Sequence, residues 1–70
     1  MSVDEKKLIN YCKIGFRMSG YREIEIEKLD SCVETLKEVV EGKKSRIKAL
    51  NDLTKLGMKP NVAERVVNKV

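Results

Sequence analysis

With 70 residues the chain has room for one domain at most, in the size range where a single core is marginal without a disulfide, a metal or a partner subunit. Its formal charge of +4 is uneven, −2 over residues 1–41 and +6 over residues 42–70. Histidine is absent, which removes the commonest general base and metal ligand. The aromatic residues are only Tyr11, Phe16 and Tyr21, too few for the stacking platforms that hold single strands, whereas contact with a duplex backbone needs mainly Lys and Arg.

Ser2 to Glu5 reads S-x-x-E, a capping box that opens a helix. Leu8, Ile9, Cys12 and Phe16 follow at helical spacing on one apolar face, and Ser19-Gly20 ends the run. Gly15 weakens the middle of that helix, by about 1 kcal/mol against alanine.

Residues 21–28 admit two readings. Arg22 to Glu27 alternates polar and apolar, the period of a strand. Ile26, Leu29, Val33, Leu36 and Val40 instead step 3-4-3-4, the seam of a helix packed on a neighbour. A lone strand has no partner in so short a chain, so the expectation is one helix over 22–41. The alternative is an extended piece followed by a helix capped at Ser31, with Glu34 closing a second capping box. The length of the seam predicts a symmetric homodimer through Ile26, Leu29, Val33, Leu36 and Val40.

Gly42 to Lys44 makes a C-cap and hinge, and Ser45 caps a third helix that runs to Leu56 with Ile47, Leu50, Leu53 and Leu56 on its apolar arc. Gly57 stops it, and Pro60 suits the first turn of a fourth helix. Val62, Ala63, Val66, Val67 and Val70 form the buried face of that helix, with Asn61, Glu64, Arg65, Asn68 and Lys69 outward. The fold class is all-α: one domain, residues 1–70, with four short helices at roughly 3–18, 22–41, 45–56 and 60–69.

MSVDEKKL is charged from Asp4 onward and does not read as a signal peptide, and no apolar run reaches the length of a membrane span. A cytoplasmic setting is therefore expected. There Cys12 and Cys32 are by default reduced and act as small buried apolar residues, with an internal disulfide or an intersubunit or redox role as alternatives. Two cysteines without histidine make a poor zinc set. The carboxylates all fit solvated helix faces or first turns. The expectation is a protein without enzymatic activity, metal or cofactor.

The segment Leu56-Gly57-x-Lys59-Pro60-x-x-Ala63-x-Arg65-x-Val67-x-Lys69 resembles the C-terminal domain of the Holliday-junction branch-migration protein RuvA, a UBA-like three-helix module, with Met58 in place of the usual aromatic. That resemblance implies protein–protein contact through an exposed Met58 at the turn. The same segment also resembles the helix-turn-helix of lactose-repressor-type regulators, with Gly57 at the turn and Arg65-Val66-Val67-Asn68 matching the end of their second helix. Leu53 stands where that pattern has a small residue. This second resemblance implies DNA binding, with bases read by the start of the last helix through Lys59, Asn61 and Arg65.

The sequence thus predicts a small nucleic-acid-binding accessory or regulatory protein with duplex DNA as its favoured partner. Its candidate contacts are Lys43, Lys44, Arg46, Lys48, Lys55, Lys59, Asn61, Arg65 and Lys69. The alternative is an adaptor or inhibitor that docks on another protein and binds no nucleic acid.

Overall fold

The computed structural model describes residues 4–70 as four helices: α1 (Glu5–Met18), α2 (Ile26–Val40), α3 (Arg46–Lys55) and α4 (Pro60–Asn68). Among the described residues there is no strand. The helices form a closed ring: α1 packs on α2, α2 on α3, α3 on α4, and α4 returns to α1. Every helix therefore has two packed flanks, and one outward face left to solvent.

The helix ends follow local chemistry. Ser45 caps α3 by accepting the Lys48 N–H at 3.1 Å, and Pro60 occupies the first turn of α4. In α1 the cap is Asp4, which accepts the Lys7 N–H at 3.4 Å; the expected capping residue, Ser2, lies outside the described residues. At the end of α3, Gly57 takes a φ of +113°, a left-handed conformation open to glycine. Its N–H donates to the Thr54 carbonyl at 3.0 Å and the Met58 N–H donates to the Leu53 carbonyl at 3.1 Å, the paired bonds of a Schellman motif. The same pair of bonds closes α1 at Gly20-Tyr21 and α2 at Gly42-Lys43.

Residues 21–25 correct the expected start of α2. They are not helical and belong to no strand, and α2 begins at Ile26, with Glu25 as its N-cap rather than Ser31. The cause is the end of α1. Its Schellman turn brings Tyr21 back onto Phe16, edge to face at 5.6 Å between ring centroids. Lys28 then lies over the Tyr21 ring at 4.8 Å, and Ile24 packs against the core. The Ile24/Ile26 alternation reflects this link: Ile24 is half-buried, whereas Ile26 is 75% exposed.

The core is aliphatic around a single buried phenylalanine: Leu8 and Phe16 from α1, Leu36 from α2, Ala49 and Leu53 from α3, Met58 from the turn, and four residues of α4. Cys12 and Cys32 also lie in it, fully buried and joined in a disulfide between α1 and α2 with their Cα atoms 6.0 Å apart. The expected pair of reduced thiols is corrected accordingly. The two helices cross close enough there for the bridge to span them without displacing the backbone.

The proposed dimer seam of α2 is largely consumed within the chain. Leu36 is fully buried and Leu29 and Val33 pack against the core, which leaves only the two ends, Ile26 and Val40, exposed. Those two are fourteen residues apart, about 21 Å along the helix, and do not make a continuous surface. No described helix is long and apolar enough to cross a membrane.

Candidate nucleic-acid interface

The α3–turn–α4 corner is held from both sides. Within it, Ala49 and Leu53 of α3 and Val62, Ala63, Val66 and Val67 of α4 are buried. Leu53, larger than the small residue of the repressor pattern, is enclosed completely. Outside it, the Tyr21 hydroxyl fills the place where a Cβ on Gly57 would stand, so the bare backbone of the turn is itself a packing surface. Ser19, at the end of α1, ties the corner down: its hydroxyl donates to the Gly15 carbonyl at 2.9 Å and accepts the Lys59 N–H at 2.9 Å. That fixes the N-terminus of α4, the part of the helix the repressor resemblance assigns to base reading.

The nine predicted contact residues fall into two groups. Lys43, Lys44, Arg46 and Lys48 sit at the α2–α3 junction, and each has a partner. Lys44 hydrogen-bonds Asp52 at 2.6 Å and pairs with Glu38 at 3.3 Å. Its ammonium is held above the ordinary lysine value, first by the bond to Asp52, and Asp52 is held below the usual carboxylate range by the same bond. Lys48 reaches the other Asp52 oxygen at 3.9 Å, Lys43 faces Glu41 at 3.9 Å, and Arg46 donates to the Val70 carbonyl at 3.0 Å. The three lysines of this group are thus offset by nearby carboxylates, Lys44 most completely, whereas Arg46 is held by a neutral carbonyl and keeps its charge.

Lys55, Lys59, Asn61, Arg65 and Lys69 form the second group, all exposed, at the end of α3, in the turn and along α4. Among the described residues Lys55, Lys59 and Arg65 have no acidic partner within ion-pair distance. Lys69 lies over the Tyr11 ring at 5.3 Å, an arrangement that leaves its positive charge unneutralised. Asn61, Arg65 and Asn68 share the outward face of α4 with a single carboxylate, Glu64.

Met58 corrects the exposed contact expected of a UBA-like turn: it is 1% exposed. As the residue after the Schellman glycine, it folds back onto the helix it follows, where Leu53 is buried, and it reaches Gly15 of α1 as well.

The sequence reading missed a groove of about 160 Å³ between α1 and α4, flanked by Ile14 and Met18 on one side and Arg65 and Lys69 on the other. Ile14 and Met18 stand four residues apart, a spacing that by itself reads as core. Only the direction from which α4 closes the ring leaves them at the surface.

The chain matches no family model, and no curated protein and no solved structure matches it.

Proposed function

We propose that this chain is a small accessory or regulatory protein that binds duplex nucleic acid, DNA by preference, through the α3–α4 turn and the outward face of α4. The observation that carries the reading is the sorting of its cations. The three lysines at the α2–α3 junction pair with Glu38, Glu41 and Asp52, and Arg46 there is held by the Val70 carbonyl, while among the described residues Lys55, Lys59, Arg65 and Lys69, at the α3–α4 turn and along α4, have no acidic partner. In this reading Lys55, Lys59 and Lys69 contact phosphates and set the register. Asn61 in the first turn of α4 and Arg65 one turn further along the same face meet base edges, asparagine suiting adenine and arginine suiting guanine or phosphate.

The test is a titration of a fluorescent duplex with the full chain over a series of salt concentrations. Log affinity should fall linearly with log salt by about 0.9 for each phosphate neutralised, so three or four contacts give a slope of about −3. A flat dependence, or no binding at micromolar protein and low salt, would sink the proposal.

A further inference from the structure

We infer that the groove between α1 and α4 receives an acidic amphipathic helix from a partner protein. Its walls are two antiparallel helices: Ser19 at the end of α1 meets Lys59 at the start of α4, and Tyr11 meets Lys69. Ile14 and Met18 stand one helical turn apart on the α1 wall and are 49% and 50% exposed, although both are large apolar side chains. Such a ridge along a groove is what the i, i+3, i+4 anchors of an amphipathic helix engage. Met18 adds an adaptable surface, since its unbranched thioether re-packs around different shapes. At about 160 Å³ the cavity falls below the ~300–1,000 Å³ of small-molecule pockets and suits inserted aliphatic side chains instead.

Charge decides the chemistry of the occupant. Arg65 and Lys69 are the charged residues lining the groove, and no carboxylate lines it. Arg17, exposed and three residues from Ile14 on the same helix, places a further cation beside the α1 wall. A helix with leucines on one face and glutamates flanking them would cover Ile14 and Met18 and pair with Arg65 and Lys69. Duplex nucleic acid would use the cations and leave the apolar ridge in water, so the ridge itself favours a protein partner. The inference stands apart from the nucleic-acid reading. The two share Arg65 and Lys69, so an occupied groove would compete with nucleic acid for those side chains.

The experiment follows the backbone amide resonances of the full chain during titration with a short synthetic helix. Its leucines are spaced i, i+3, i+7 and flanked by glutamates, and a control peptide carries glutamine in place of each glutamate. The expected result is shifts confined to α1 from Tyr11 to Met18 and to α4, with affinity at least about tenfold weaker for the control peptide and for an Ile14→Ser/Met18→Ser variant. Both substituted residues are half-exposed, so the variant keeps its fold, which its own spectrum verifies. Equal affinity for the two peptides, no shifts at millimolar peptide, or shifts produced only by phosphatidylserine vesicles would overturn the inference. A duplex titration on the same samples separates the two readings: its failure removes the nucleic-acid reading alone, and failure of the peptide arm removes the groove alone.

Discussion

Met58 lies against the bare backbone of Gly15, so close that a Cβ built at position 15 would stand 2.8 Å from the Met58 Cε and 2.9 Å from a Val66 methyl. The glycine that weakens α1 as an isolated helix is thus the point where α1 closes on α4 and the turn. Gly15→Ala gains about 1 kcal/mol of helix propensity. Against that, the end of Met58 can swing aside but the Val66 methyl cannot, and overpacking of this kind costs about 1–3 kcal/mol. The expected outcome is a net loss of about 1 kcal/mol by urea denaturation, recovered in part by Val66→Ala in the same chain. A Gly15→Ala variant more stable than the parent would show that the crossing has slack.

The Cys12–Cys32 bridge closes a loop across twenty residues of sequence. Removing it with Cys12→Ala/Cys32→Ala should cost about 3 kcal/mol, a large share of the stability of so small a domain. Both cysteines are fully buried, so a reductant reaches them only when the ring opens. Reduction followed by thiol labelling should therefore be slow in buffer and accelerate with sub-denaturing urea. Reduction as fast as that of an unfolded chain would contradict the buried placement.

How much of this was legible in the sequence differs from element to element. Ser45, Gly57 and Pro60 carry their own chemistry, and the ends of α3 and α4 fall within a residue or two of where those three place them. The start of α2 was not legible, because residues 21–25 are set by Tyr21 folding back on Phe16 and packing beside Gly57, the latter a contact thirty-six residues away along the chain. The candidate interface divides in the same way. The sequence lists the cations but not their partners: Lys44 finds Asp52 across the α2–α3 junction, and a count of charges gives both Lys44 and Arg65 the same weight. Met58 was legible in principle. The residue after a Schellman glycine commonly makes an apolar contact back to the helix, and Leu53 stands at the matching position.

The Lys44–Asp52 pair gives a pH signature. Asp52 titrates lower in the folded chain than its ordinary value, so its contribution is complete at neutral pH and is lost as pH falls through the lowered folded value. Lys44 is raised, so its contribution is present below the ordinary lysine range and is lost as pH rises through the raised folded value. Lys44→Met should lower stability at neutral pH by about 1 kcal/mol, a modest figure because both side chains keep some access to water. The variant should also lose less stability than the parent between about pH 5 and pH 2. Parallel curves for the two chains over that range would show that the pair contributes nothing to acid stability.

The two groups of cations make opposite predictions for nucleic-acid binding, and measuring both tests the proposed interface without assuming a target sequence. Replacing Lys43, Lys44 and Lys48 with alanine removes three positive charges, but charges already paired with Glu41, Glu38 and Asp52. The salt slope should therefore hardly change. Replacing Lys55 and Lys59, which have no acidic partner among the described residues, should flatten the slope by about 0.9 for each lost phosphate contact and weaken all duplex sequences alike. Asn61→Ala and Arg65→Ala should behave differently again. Each should cost about 1–3 kcal/mol on a preferred sequence, found by selection from a random duplex pool, and much less on an arbitrary one. Asn61 carries no charge, so its loss cannot act through counterion release, and a sequence-dependent effect of Asn61→Ala would be specific to base contact. If Asn61→Ala leaves every sequence as tightly bound as before, α4 holds the backbone only. If the Lys43, Lys44 and Lys48 variant is the one that flattens the slope, the interface lies at the α2–α3 junction and the assignment to α4 is wrong.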